Sequence, residues 1–140
     1  MRKTILILII SGYSLTGSCP PSNAPIPAIP KRLSASIVDA FIMVESSGDT
    51  LAFVGREQAV GCLQIRPIMI NQVNKIAGYV KYTLPDAWSR QKSIEIFNLV
   101  MGYYKPKTVK EYCKIWNGKK TTPKYYQKIK REMEKLNINL

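Results

Sequence analysis

The sequence predicts a mainly helical, compact domain with one short irregular or hairpin-bearing segment after its first helix. Apolar residues recur at three- and four-residue spacing in separate runs from about residue 34 to the C-terminus. Capping residues or prolines open those runs and glycines close several of them. Between the first two runs, Asp49 to Ile65 has no helical period and carries Gly55 and Gly61, as loop or short strands would. At 140 residues the chain has room for one modest core.

The elements follow in order. Ser36 and Asp39 form a cap-like pair opening a helix near Ser34, with Ile37, Phe41 and Val44 at helical spacing and Gly48 as its stop. Pro67 opens a second helix with the stripe Ile70, Val73 and Ile76 or Ala77, closed by Gly78. Ser89 starts a third, with Ile94, Phe97, Val100 and Met101 on one side. Thr108-Val109-Lys110-Glu111 reads as a capping box for a fourth, which carries Tyr112, Ile115 and Trp116. Thr122 and Pro123 begin a fifth, with Tyr126, Ile129, Met133 and Leu136 along its stripe. No internal repeat is visible.

Residues 1–19 read as an export signal: Arg2 and Lys3, an apolar run from Thr4 to Ile10, then a small and polar stretch ending at Cys19. The apolar run is short for a membrane span. Leu15-Thr16-Gly17-Ser18-Cys19 also resembles a bacterial lipoprotein box, with Thr16 where a larger aliphatic residue is usual. Lipidation of Cys19, giving membrane attachment, and an ordinary signal cut both fit. Residues 20–33 form a tether: five prolines lie between Cys19 and Pro30. Residues 34–140 form the expected domain.

Lys and Arg number 21 against 9 Asp and Glu, a formal charge of +12. Such an excess suits a polyanionic partner or a generally basic solvated surface. With no His, neither a His-based metal site nor a Ser-His-Asp triad can be built, and no metal or cofactor is expected. No phosphate loop or zinc-finger spacing supports a nucleic-acid partner. Cys62 and Cys113 lie in apolar surroundings; export permits a disulfide, and two buried thiols would look the same.

Glu45 is the residue with chemistry to explain. It falls in the last turn of the first helix, in register with Val38, Phe41 and Ile42. Burial and the C-terminal end of a helix dipole both disfavour its charged form. A raised pKa suits a proton donor near neutral pH. Taken alone, a solvated helix-end Glu explains the residue as well.

Its companions are ordered along the chain: Glu45-Ser46-Ser47-Gly48, then Gly61-Cys62-Leu63-Gln64-Ile65, then Trp116-Asn117-Gly118, then Thr122-Pro123-Lys124-Tyr125. This set resembles the lytic transglycosylase domain and its goose-type lysozyme relatives, over roughly Ser36 to Lys130. The resemblance implies an α+β lysozyme-like fold and cleavage of the β-1,4 bond between N-acetylmuramic acid and N-acetylglucosamine. Glu45 then matches the general acid, and Ser47, Gln64 and Asn117 match groove residues. Tyr125 matches the tyrosine facing the acid, with Tyr126 one residue away on the core stripe. Lys119-Lys120 replaces a common glycine, and Cys62 stands where an aliphatic or small residue is usual. Family members of the transglycosylase kind act with a single carboxylate. Glu57 is the candidate second acid for a hydrolytic muramidase, and pairing with Arg56 is its plainer reading. The resemblance implies peptidoglycan glycan strands as partner, a monomer, and a periplasmic or, if lipidated, outer-membrane-anchored location. A non-catalytic wall-binding protein on the same fold is the alternative outside enzymes.

Overall fold

The computed structural model describes residues 31–118 and 121–138, with side chains described from Ile37 onward. The export signal, Cys19, the proline tether up to Pro30 and the pair Lys119-Lys120 lie outside the described residues.

Five α-helices and one small hairpin make the expected mainly helical domain. Helix α1 (Lys31–Ser46) is followed by strands β1 (Phe53–Val54) and β2 (Ala59–Val60), then α2 (Pro67–Ala77), α3 (Arg90–Tyr104), α4 (Val109–Asn117) and α5 (Pro123–Lys135). Helix α1 is described from Lys31, so Ser36 lies inside it and does not start it. Among the described helices none is long and apolar enough to cross a membrane.

The core forms where α1 packs on α3 and α5, with α4 closing against α5 and α2 against α3. Phe97 sits at its centre, its ring 5.2 Å from Phe41 and 4.9 Å from Trp116. Ile37, Phe41, Ile96, Val100, Ile129 and Met133 are buried around it. Each such side chain contributes about 1.5–3 kcal/mol on burial. Leu136, placed on the α5 stripe by its spacing, instead caps that helix and is exposed. Cys62 and Cys113 are free buried thiols, which resolves the disulfide question for them.

The hairpin pairs Phe53 with Val60 and Val54 with Ala59. The chain reverses again at once, and Val60 and Ile65 exchange both backbone hydrogen bonds, at 3.0 and 2.9 Å. Gly61 makes this double reversal possible. Its φ is +74°, and a Cβ there would lie 1.9 Å from the Ala87 carbonyl oxygen. Ala87 belongs to a short 3₁₀ turn, Leu84–Trp88, that the periodicity reading did not mark. Thr83 and Asp86 build a capping box for it, and buried Ser93 donates to the Ala87 carbonyl at 2.7 Å. Asn74 of α2 braces the approach to this turn through the backbone of Lys81 and Tyr82.

The α4 cap departs from the expected box in one bond. The Thr108 hydroxyl accepts from the Glu111 N–H, yet the Glu111 carboxylate reaches back to the Lys107 N–H at 2.7 Å. Thr122 caps α5 by accepting from Tyr125 N–H at 3.1 Å.

Candidate active site

Helix α1 ends in the Glu45-Ser46-Ser47-Gly48 motif, and the backbone there explains the motif's composition. Ser47 has φ 57° and Gly48 φ 87°, and the Gly48 N–H closes on the Ile42 carbonyl at 3.4 Å. A left-handed exit of this kind stops the helix one turn after Phe41. The Ser46 hydroxyl donates to the Cys62 carbonyl at 2.9 Å, tying the end of α1 to the chain leaving the hairpin. Glu45 is thereby held against the segment that carries Gln64.

The opposite wall comes from α4 and α5. Asn117 is the last residue of α4, and Gly118 turns the chain with φ 63°. The Thr121 hydroxyl bridges the Cys113 and Gly118 carbonyls, each at 2.9 Å, and sets the start of α5. The first turn of α5 then delivers Tyr125, whose hydroxyl donates to Glu45 Oε1 at 2.5 Å. The Tyr125 ring meets the Phe41 ring edge-on at 6.5 Å, which fixes its angle. Tyr126 packs against the core as Tyr125 does, and of the two it is Tyr125 whose hydroxyl reaches Glu45.

Glu45, Glu57, Gln64, Arg66, Trp116 and Asn117 line a cleft of about 280 Å³, together with Val54 and Met69. Burial raises the Glu45 pKa above the ordinary carboxylate value. The Tyr125 hydrogen bond and the Arg66 and Lys128 charges pull it partly back, while Glu57 adds to the rise. The Tyr125 hydroxyl is pushed far up by burial and by Glu45, so it stays a proton donor. The nearby Cys113 thiol is held at about 11, chiefly by burial. It is therefore protonated at neutral pH. The arrangement presents to the cleft a carboxyl group of raised pKa, oriented by one phenol, which is the chemistry of a proton donor.

Gln64 occupies the site differently from a two-way hydrogen-bonding amide. With φ 48°, it turns its amide nitrogen onto the Ala52 and Gly61 carbonyls at 3.1 and 2.9 Å. Its donors thus hold the double reversal together. Its Oε1 is buried and has no hydrogen-bond partner among the described residues. Glu57 lies on the cleft wall and pairs with Arg66 at 3.5 Å, where sequence proximity suggested Arg56. Ser47 is exposed and does not line the cleft. Its left-handed backbone makes it a helix-ending residue.

The structure therefore brings Glu45, Glu57, Gln64, Asn117 and Tyr125 together and leaves Ser47 outside. It adds Ser46 and Arg66. Ser46 could have been found as the hydroxyl inside the helix-end motif. Arg66 precedes Pro67, the helix-opening proline, and is extended at φ −100°, ψ 157°. Nothing else in the sequence marks it. Compared with protein-family models, curated proteins and solved structures, the chain matches none.

Proposed function

We propose that this protein is a peptidoglycan-cleaving enzyme of lytic transglycosylase type, on a lysozyme-like fold, with Glu45 as general acid and base. The observation that carries the reading is the Glu45–Tyr125 pair, made across 80 residues of sequence at the wall of a cleft. A buried carboxyl group whose pKa is raised by burial and which is held by a phenol is suited to donating a proton. The glycosidic oxygen between N-acetylmuramic acid and N-acetylglucosamine is an acceptor for that proton.

In the proposed reaction Glu45 gives its proton to the glycosidic oxygen as the bond to the muramyl anomeric carbon breaks. The substrate acetamido group assists at that carbon. The muramyl C6 hydroxyl then attacks it, closing an anhydro ring, and its proton returns to the Glu45 carboxylate. Asn117 supplies an amide on the groove wall for the substrate's polar groups, and Gln64 holds the backbone of the facing wall. One carboxylate is enough for this sequence of steps.

A hydrolytic muramidase is the second reading, favoured by the presence of Glu57 on the same cleft wall. It pairs with Arg66 at 3.5 Å and lines the cleft together with Glu45, where a base holding an attacking water would be needed. Mass spectrometry of fragments released from purified peptidoglycan separates the two: anhydromuramyl ends for transglycosylation, reducing ends for hydrolysis. Glu45→Gln should lower either activity about a thousandfold. Fragment release unchanged by Glu45→Gln would remove Glu45 as the acid, and no release by the parent would leave a wall-binding role in place of an enzyme.

A further inference from the structure

Helix α5 carries a feature that the catalytic reading does not use. Lys124, Lys128, Arg131 and Lys135 recur at four-, three- and four-residue spacing, which places them within about 60° of one another around the helix. All four are exposed. Lys135 is paired with Glu132 at 2.7 Å, while Lys124, Lys128 and Arg131 have no acidic partner among the described residues. The buried side of the helix, with Ile129 and Met133, lies elsewhere on its circumference.

The position of this stripe matters more than its charge. Lys124 and Lys128 flank Tyr125, one residue before it and three after, and the Tyr125 hydroxyl touches Glu45. The Lys128 ammonium is near enough to Glu45 to act on its ionisation, as is Arg66 from the other wall. The stripe thus starts in the helical turn that carries Tyr125, whose hydroxyl reaches Glu45 on the cleft wall, and runs away from it along α5. From Lys124 to Arg131 it extends about 10 Å at the rise of an α-helix. An extended peptide of about three residues spans about 10 Å.

We propose that Lys124, Lys128 and Arg131 bind the carboxylate-bearing peptides of the wall strand whose sugars lie at Glu45, making peptide-bearing glycan the preferred ligand over stripped glycan. This rests on the wall-strand reading of the cleft. Peptides branching from the glycan carry free carboxylates at a fixed distance from the sugar backbone. Cations in line with the acid would meet them as the strand enters.

The test uses the full chain with Glu45→Gln, so that binding is measured without cutting. Co-sedimentation with intact peptidoglycan is compared with glycan from which the peptides have been removed by an amidase. The parent should bind peptide-bearing material about tenfold more tightly, with the difference fading as salt is raised. Adding Lys124→Gln, Lys128→Gln and Arg131→Gln should abolish that difference. A matched variant, Lys75→Gln, Lys105→Gln and Lys107→Gln, removes equal charge from exposed sites outside α5 and should keep it. Thermal melts of both variants confirm folding.

Equal losses from the two variants would overturn the proposal, because net charge alone would then explain binding. It is also overturned if the stripe variant keeps its preference, or if the parent shows no preference. Stripe-dependent binding to phosphatidylglycerol vesicles with no preference for peptide-bearing wall would assign the stripe to a membrane surface instead. Failure of the enzymatic reading is a separate result: binding would persist with the preference intact, while the unmutated protein released no fragments.

Discussion

Replacing Gly61 with alanine tests the double reversal that carries Gln64. A Cβ at Gly61 would sit 1.9 Å from the Ala87 carbonyl oxygen, where real contacts stay beyond 3.0 Å, so the two must part by about 1 Å. That carbonyl is not free to move, since buried Ser93 holds it at 2.7 Å. Overpacking of this kind costs about 1–3 kcal/mol. The left-handed φ of +74° adds about 1–2 kcal/mol for any residue with a side chain. Gly78 provides the internal comparison: its φ is +81° and nothing lies within 4 Å of its would-be Cβ. Gly78→Ala therefore carries the backbone cost alone. At about 4–8 °C per kcal/mol for a domain of this size, Gly78→Ala should lower Tm by about 4–16 °C and Gly61→Ala by about 8–40 °C. Thermal unfolding followed by circular dichroism at 222 nm measures both. If the two variants melt within about 3 °C of each other, the packing of the hairpin exit on the 3₁₀ turn is wrong.

Tyr125→Phe removes a donor that favours the ionised form of Glu45, so the Glu45 pKa, already raised by burial, should rise further. A general acid acts while protonated, and activity falls as pH climbs through its pKa. The alkaline limb of the kcat profile should accordingly move to higher pH; a limb that stays put or moves to lower pH refutes the pairing. Losing that hydrogen bond, worth about 1 kcal/mol, should also lower maximal kcat about fivefold. Asn74→Ala removes three hydrogen bonds, one to the Tyr82 carbonyl and two from the Lys81 and Tyr82 N–H groups, at 2.8, 3.0 and 2.9 Å. It should destabilise by about 2–3 kcal/mol and drop the urea midpoint while leaving low-temperature kcat unchanged. A midpoint within error of the parent would show that the Tyr82 loop does not depend on α2.

The helices were legible because each has its own period and, from α2 onward, its own opening residue. Pro67, Thr108 and Thr122 act close to where the spacing puts them. The start of α1 was not, because the cap-like Ser36–Asp39 pattern competes with a helix that continues back to Lys31. The 3₁₀ turn escaped because five residues show no period, although Thr83 and Asp86 carry the same cap chemistry as the longer helices. Within the site, Glu45, Gln64, Asn117 and Tyr125 could be named from ordered motifs, and the model places all four about one cleft or one hydrogen bond. Ser47 misled, since a hydroxyl beside an acid looks functional while its left-handed φ serves the helix exit. Arg66 was invisible for the opposite reason: its role depends on Glu57 approaching from the hairpin, and that is a tertiary fact. The direction of the Gln64 amide was hidden likewise, because its two acceptors are backbone carbonyls at Ala52 and Gly61.

The span between Glu45 and Tyr125 has a kinetic consequence. Closing a contact across 80 residues requires most of the described chain to be in place first, since loop entropy must be met before the pair forms. A nascent or partly threaded chain holds Glu45 with no Tyr125 to orient it and no cleft around it. Catalytic competence, on the proposed reading, is then acquired last, when the final helix docks. Before that docking the chain, on the same reading, would have no means of cutting glycan.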